Sequence, residues 1–239
     1  MIIAENVSRD FGKFQALKNI SFEIKPGEIV GFLGQNGAGK TTLMRILTSY
    51  LLPSSGRVII NGKDILKDSL SIRRNIGYLP ENPPLYVNMT VRDYLGFAAR
   101  LKDIYPKDQQ FQVDRVVQEC DLSTVTDKMI ATLSKGYKQR VGIAQAIIHE
   151  PQILILDEPT NGLDPIQILQ VRKLIKNLEH KRIVIVSTHI LSEIEQIAQR
   201  VIMIRSGEIL VDDFLENLLC NYGPGATLEK VFLKLHNYA

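Results

Sequence analysis

The feature that most constrains the fold is the stretch Glu28–Thr42, where a short apolar run leads into a glycine-rich turn. The run up to Leu33 is typical of a buried strand, and apolar residues recur at helical spacing behind the turn. Those helical positions are Leu43, Ile46, Leu47 and Tyr50. Residues 34–41 fit the pattern G-x-x-x-x-G-K-[ST] in the strand–turn–helix context that identifies a phosphate-binding loop.

The chemistry of this loop follows from its residue types. Glycines allow backbone conformations that a Cβ would forbid, so successive N–H groups can converge on one phosphate, and the following helix adds its positive end. Lys40 is predicted to reach the β- and γ-phosphates of a nucleotide, and the Thr41 hydroxyl is predicted to be a Mg²⁺ ligand. The candidate nucleotide-binding residues here are Gln35, Asn36, Gly37, Ala38, Gly39, Lys40, Thr41 and Thr42. The alternative is an ordinary glycine turn before a helix, which the flanking pattern disfavours.

Composition narrows the classes of protein. A chain of 239 residues with 45% hydrophobic residues suits one large domain or a domain with a subdomain. Its 29 basic and 26 acidic residues are interspersed without a basic stripe, so no nucleic-acid partner is expected. Cys120 and Cys220 lack metal-type spacing and are predicted to be reduced structural thiols. Neither an 18-residue apolar run nor a signal-peptide pattern is found, which predicts a cytosolic protein.

The order of the remaining patterns indicates an α/β fold. Short strands at Ile2–Val7, Ile20–Ile24 and residues 57–60 are linked too tightly for helical crossovers, which predicts an antiparallel layer. Residues from about 85 to 150 read as an inserted α-helical subdomain, and those from about 212 to 239 as a short helical extension after a hairpin. The prediction is one domain over 1–239, with a phosphate-loop core on a mainly parallel sheet.

Polar residues follow two later strands at the edge where such sheets bind ligands. The apolar run 153–156 predicts a strand covered on both faces, and it leads directly into Asp157 and Glu158. We expect Asp157 to hold Mg²⁺, Glu158 to polarise the water that attacks the γ-phosphate, and His189, after the strand 183–186, to sense that phosphate. The alternatives are a solvated loop carboxylate and a satisfied strand-end histidine. The other histidines, His149, His180 and His236, are predicted to be surface residues.

Taken together, these motifs closely resemble those of the ATP-binding-cassette (ABC) ATPases over nearly the whole chain. Residues 133–137 stand where that family usually has Leu-Ser-Gly-Gly-Gln, and residues 162–165 where it has the D-loop containing Asp164. Phe11 falls at the family's adenine-stacking aromatic position, although a core phenylalanine is the alternative. By this resemblance Ser134 and Gly136 are expected to contact the γ-phosphate of ATP bound to another subunit, with Ser134 at a helix N-terminus.

The chain departs from the family pattern at two places. Lys135 and Tyr137 replace a glycine and the glutamine of the signature, while Ser134 and Gly136 remain. Glu81 occupies the position of the family's Q-loop glutamine, a Mg²⁺ ligand. A carboxylate has no amide N–H₂ and adds charge, so the glutamine contacts do not transfer directly to Glu81.

The resemblance implies an ATPase that uses ATP and Mg²⁺, pairs head to tail with a second ATPase subunit, and drives separate transmembrane permease subunits. Features of residues 78–82 and 228–233 resemble prokaryotic exporter-type cassettes. Such a subunit would meet the membrane only through its permease, on the cytoplasmic face. Two other classes of protein are disfavoured. A soluble ABC protein of DNA repair or translation usually carries a long coiled coil or two cassettes, and a non-hydrolysing module would not need intact Lys40, Asp157, Glu158 and His189.

Overall fold

Two β-sheets form the framework of the computed structural model, which describes residues 1–178, 182–223 and 225–235. The strands are β1 Ile2–Phe11, β2 Phe14–Ile24, β3 Ile29–Leu33, β4 Ser55–Ile60, β5 Lys63–Asp64, β6 Ile76–Leu79, β7 Ile153–Asp157, β8 Ile183–Thr188, β9 Arg200–Arg205 and β10 Glu208–Phe214. The helices are α1 Lys40–Leu47, α2 Ser69–Arg73, α3 Val91–Leu101, α4 Pro106–Glu119, α5 Lys135–Ile147, α6 Pro165–Asn177, α7 Leu191–Ile197, α8 Leu215–Asn221 and α9 Leu228–Leu235. In those ranges no helix is long and apolar enough to cross a membrane.

The smaller sheet is antiparallel, with strand order β2-β1-β4-β5. Its first two strands are longer than the predicted Ile2–Val7 and Ile20–Ile24, because irregular positions hide the continuation of the alternating pattern. The β1–β2 register shifts between Val7 and Arg9 and again between Arg9 and Asp10, and Asn19, directly before the predicted start of β2, has φ +48°. Such bulges interrupt the period-2 pattern without ending the pairing.

The larger sheet carries the predicted functional edge. Its order is β10-β9-β3-β8-β7-β6, and every neighbouring pair is parallel except β10 with β9. The phosphate loop follows β3, Asp157 ends β7, His189 follows β8 and Glu81 follows β6. Since carboxyl ends of parallel strands share one edge, four adjacent strands deliver these residues to the same side of the molecule.

Both faces of the larger sheet are covered, as the apolar run 153–156 predicts. Leu154 and Leu156 pack with the helices of the 91–147 region in one buried cluster. Ile153 and Ile155 pack in a second cluster with α1 and the antiparallel sheet. The alternation of a strand sends successive side chains to opposite faces, so a continuous apolar run satisfies both layers.

Residues 91–147 contain the helices α3, α4 and α5. The Thr90 hydroxyl accepts a hydrogen bond from the Asp93 N–H at 3.1 Å and caps α3, but Leu101 at the end of that helix is 67% exposed. Because β10 continues to Phe214, the C-terminal helices begin at 215 rather than at about 212. Of the two cysteines, Cys120 is buried and Cys220 is exposed, and both are free.

The histidine prediction needs one correction. His149 is half-buried rather than on the surface, with its Nε2 3.1 Å from the Ile76 carbonyl oxygen. His180 and His236 lie outside the described residues.

Candidate functional site

The phosphate loop is shaped by glycines at its two ends. A Cβ on Gly34 would come within 2.3 Å of the Ile204 carbonyl oxygen, a backbone atom that cannot yield. Gly39 has φ +109°, in the left-handed region, and a Cβ there would lie 2.7 Å from the Ala16 carbonyl oxygen. The loop therefore lies tightly against its neighbours and leads straight into α1 at Lys40.

Lys40 is held inside this loop although it carries a charge. It is 6% exposed, and its Nζ donates to the carbonyl oxygens of Gly34 at 2.6 Å and Gln35 at 3.3 Å. The carboxylate oxygen Oε1 of Glu158 lies 3.8 Å from the same nitrogen. Burial lowers the pKa of Lys40, while the carboxylates of Glu158 and Asp157 act in the opposite direction.

The two carboxylate oxygens of Asp157 differ in their contacts. The residue is 1% exposed, and the Ser187 hydroxyl donates a hydrogen bond to its Oδ1. No hydrogen-bond partner for its buried Oδ2 is found among the described residues. Burial raises the pKa of Asp157, and the hydroxyls of Ser187 and Thr41 partly oppose that shift. A buried, unpaired carboxylate oxygen beside a threonine hydroxyl is a donor set suited to a hard cation such as Mg²⁺.

Glu158 connects the ammonium of Lys40 with the imidazole of His189. It has φ +49°, and its N–H donates to the Ser187 carbonyl oxygen at 2.9 Å, which fixes the turn after β7. Its Oε2 lies 2.9 Å from Nδ1 of His189, while Oε1 faces Lys40. The Glu158 side chain is 8% exposed and that of His189 is 41% exposed. A carboxylate held this way can accept a proton from a water molecule in the adjoining cavity.

The cavity beside these groups has a volume of about 250 Å³. Its lining includes nine of the predicted site residues: Asn36, Gly37, Gly39, Lys40, Thr41, Thr42, Glu81, Glu158 and His189. Phe14, Ala16 and Asn161 also line it and were not predicted. The Asn161 side-chain amide donates to Oε1 of Glu81 at 3.0 Å, so the carboxylate at the Q-loop position is fixed by the loop after Glu158. The one sequence feature that could have identified Asn161 as a site residue is its position three residues after Glu158.

Phe11, the predicted adenine-stacking residue, does not line this cavity, but its strand partner Phe14 does. Phe11 pairs with Phe14 at the end of the β1–β2 hairpin and is 47% exposed. The Arg9 guanidinium lies 4.7 Å from the centre of its ring, at cation–π distance. Phe14 is 62% exposed. Adenine stacking by Phe11 stays a prediction, and Phe14 is a second aromatic candidate.

Seven predicted residues do not line the cavity: Phe11, Gln35, Ala38, Asp157, Ser134, Gly136 and Asp164. The last three form a separate group. Ser134 and Asp164 are exposed N-caps of α5 and α6, and their side chains accept hydrogen bonds from the N–H groups of Tyr137 at 3.4 Å and Gln167 at 2.9 Å. Gly136 is buried, and a Cβ on it would lie 2.6 Å from the Gln167 side chain. This signature surface (Ser134, Gly136 and Asp164) is thus separate from the nucleotide cavity of its own chain.

Comparison with known sequences points to one family. Residues 17–161 match the family described as "ABC transporter". The chain is 37% identical to the bacitracin transport ATP-binding protein BcrA of Bacillus licheniformis, over all of this chain and 81% of that protein.

Comparison with solved structures gives the same result. A dimeric structure of a post-hydrolysis state of the ATP-binding cassette MJ0796, bound to ADP and Pi, superposes with a TM-score of 0.82 and 26% identity, covering 90% of this chain and 99% of that one. CbiO1 from Clostridium perfringens, described as part of the ABC transporter complex cbiONQ, has a TM-score of 0.84 and 28% identity, covering 99% and 94% of the two chains. These similarities confirm the predicted α/β fold class.

Proposed function

The chain belongs to the ABC transporter family as an ATP-binding, ATP-hydrolysing subunit, and from that premise we propose how its residues carry out hydrolysis and transmit it. The observation that carries the proposal is the position of Glu158, held between Lys40 and His189 at a cavity lined by the phosphate loop. An ammonium, an imidazole and a carboxylate at one cavity match the needs of γ-phosphate cleavage, where charge on the phosphate must be stabilised and water activated.

Each residue has a defined task in this proposal. The N–H groups of residues 35–42 and the ammonium of Lys40 bind the β- and γ-phosphates, and His189 donates a hydrogen bond to the γ-phosphate. Glu158 accepts a proton from the attacking water. The Thr41 hydroxyl and the unpaired oxygen of Asp157 would hold Mg²⁺, with Glu81 as a further candidate. When bound, Mg²⁺ neutralises charge on the phosphate oxygens. No group of three or more His, Cys, Asp or Glu side chains able to hold a metal was found in the described residues, which agrees with a site completed by substrate phosphates.

The signature surface supports a head-to-tail dimer. Ser134 is exposed at the N-terminus of α5, a 13-residue helix, where N–H groups and the helix dipole favour an anion. Because Ser134, Gly136 and Asp164 do not line the cavity of their own chain, we propose that they complete the cavity of a second ATPase subunit. ATP then joins the two subunits, and loss of the shared γ-phosphate loosens them.

A groove on the other side of α1 is proposed to receive the membrane subunits. It has a volume of about 500 Å³, and its lining includes Arg45, Arg73 and Lys102 together with the aromatic rings of Tyr50 and Tyr78. No described carboxylate forms an ion pair with any of the three cations. Burial, with a smaller contribution from nearby Arg73, lowers the pKa of Lys102.

Uncompensated positive charge beside exposed aromatic surface is complementary to an amphipathic helix that carries acidic residues. We propose that this acidic helix is a cytoplasmic helix of the permease. Its binding to the groove would hold the ATPase subunit on the cytoplasmic face of the membrane. The assignment as an exporter rests on the resemblance of residues 78–82 and 228–233 to prokaryotic exporter-type cassettes.

The test of the catalytic assignment is Glu158→Gln. The amide keeps the shape of the side chain but cannot accept the proton of water, so we expect ATP hydrolysis to fall by at least about a hundredfold while ATP still binds. ATP-dependent dimer should accumulate on size-exclusion chromatography. Lys40→Ala serves as the contrast, because it should lose nucleotide binding as well. Near-normal phosphate release by Glu158→Gln would show that Glu158 is not the base.

A further inference from the structure

A buried carboxylate lies behind the hydrolytic site and belongs to none of the motifs. Glu193 on α7 is 1% exposed, and its Oε2 accepts hydrogen bonds from the hydroxyls of Thr160 at 2.5 Å and Thr188 at 3.3 Å. Its Oε1 has no hydrogen-bond partner in the described part of the chain, and the nearest cation is Nη2 of Arg172 at 3.8 Å.

The two threonines belong to the two turns that carry the reacting groups. Thr188 ends β8, and its hydroxyl also accepts a hydrogen bond from the Ile190 N–H at 3.1 Å, so it fixes the turn that holds His189. Thr160 lies two residues after Glu158, and its carbonyl oxygen accepts from the Leu163 N–H at 3.2 Å. It therefore fixes the start of the loop that leads to Asp164.

One oxygen atom thus joins the turn of His189 to the loop after Glu158. The contact between those two residues, 2.9 Å between Glu158 Oε2 and His189 Nδ1, spans the same two segments on the cavity side. Burying a carboxylate is costly unless it is paired, and here the pairing is incomplete. A group buried at that cost, and bonded to both segments, is better explained by positioning than by packing, for which an apolar side chain would serve.

We propose that Glu193 is a positioning residue for ATP hydrolysis, holding the His189 turn and the 160–164 loop in one arrangement. The inference rests on the proposed function of Glu158 and His189. It predicts an effect on turnover that is separate from nucleotide binding, because the phosphate loop and Lys40 form no hydrogen bond or ion pair with Glu193 in the described structure.

The experiment compares steady-state ATP hydrolysis of the full chain with its Glu193→Gln and Glu195→Gln variants. Glu195 is the matched control, since it lies on the same helix but its carboxylate accepts from the Leu228 N–H, away from the cavity. We expect Glu193→Gln to lower kcat about tenfold with KM for ATP changed less than twofold, whereas Glu195→Gln keeps both values. Thr160→Val should lower kcat in the same way, and the double variant should lose much less than the product of the two single effects.

The outcomes separate this inference from the proposed function. Unchanged kcat in Glu193→Gln overturns the inference, and so does a rise in KM that accounts for the whole loss or a full multiplication of effects in the double variant. Comparable losses of kcat in the Glu193 and Glu195 variants would also overturn it, because they would indicate general loosening of α7. If Glu158→Gln itself hydrolyses ATP normally, the proposed function fails first.

Discussion

At the scale of single residues, the open question is which aromatic ring meets the adenine. The Arg9 guanidinium lies 4.7 Å from the centre of the Phe11 ring, and its Nη1 donates a hydrogen bond to the Leu52 carbonyl oxygen at 2.9 Å. A ring held in this way has lost part of its rotational freedom before the nucleotide arrives, which favours stacking. Phe14 is more exposed and has no comparable partner among the described ring contacts.

We therefore expect Phe11→Ala to weaken ATP binding about tenfold, which corresponds to one stacking interaction of about 1.4 kcal/mol. Phe14→Ala is the matched control and should weaken ATP binding about twofold or less. Binding of inorganic tripolyphosphate, which has no base to stack, should be unchanged in both variants. Titration calorimetry measures the binding of both ligands to the wild-type protein and to the two variants. A larger loss in Phe14→Ala than in Phe11→Ala would assign the stacking ring to Phe14.

The residues that were predictable are those whose chemistry is local. Gly34, Lys40 and Asp157 are specified by a strand, a turn and a few neighbouring residue types, so the pattern alone locates them. Asn161 and Glu193 depend on contacts 80 and 33 residues away, with Glu81 and Thr160 respectively. No local pattern records such a contact, because it arises only when the strands are placed side by side.

At the scale of elements, the contact between the end of α5 and β6 should make the stability of the fold depend on pH. His149 follows α5, and its Nε2 lies 3.1 Å from the carbonyl oxygen of Ile76 in β6. Burial is the main reason that the pKa of His149 falls from 6.5 to about 3, and the positive charge of Lys102 adds to it. The folded protein keeps His149 neutral where the unfolded chain would bind a proton. Stability is therefore lost as the pH falls from about 6.5 towards 3.

We expect His149→Gln to flatten this dependence. The glutamine amide can still donate to the Ile76 carbonyl oxygen but does not titrate. Between pH 7 and pH 5 the wild-type free energy of unfolding should fall by about 1–2 kcal/mol more than that of the variant. Urea unfolding at several pH values, followed by circular dichroism, gives the comparison. Parallel stability profiles for the two proteins would contradict a neutral His149.

Elements were predicted well where one physical rule dominates. The strands β7 and β8 needed only their continuous apolar runs to be predicted. The predicted end of β1 and start of β2 were wrong because the register shifts between Val7 and Arg9 and because Asn19 has positive φ directly before Ile20.

At the scale of the whole molecule, the signature surface and the cationic groove share no residue. If the groove receives an acidic helix of the permease, reversing its exposed charges should release the protein from membranes. We expect Arg45→Glu with Arg73→Glu to lower the membrane-bound fraction in cells about tenfold, since like charges then meet at the interface. The matched control is Lys107→Glu on α4, outside the groove. Unchanged membrane binding with both reversals would remove the groove from the interface.

The proposed head-to-tail dimer makes the sharpest prediction, because in it each reaction site takes residues from two chains. Lys40→Ala removes the phosphate-loop half of a site, and Ser134→Glu repels the γ-phosphate from the signature half while keeping a favourable charge at the N-terminus of α5. Each variant alone should be nearly inactive. Mixed in equal amounts and allowed to exchange, half of the dimers pair one variant with the other, and each mixed dimer contains one intact site. If sites act independently, about a quarter of the wild-type ATPase activity should return.

The mixing experiment separates shared from self-contained sites. A site completed within one chain gives no recovery at any mixing ratio, because every chain carries a defect. Recovery should follow the fraction of mixed dimers, with a maximum at equal amounts, and should disappear when Glu158→Gln is added to the Ser134 variant, whose phosphate loop serves the intact site. Activity that persists in that last mixture would assign water activation to another residue, whereas absence of recovery in the first would show that Ser134 acts on the nucleotide of its own chain.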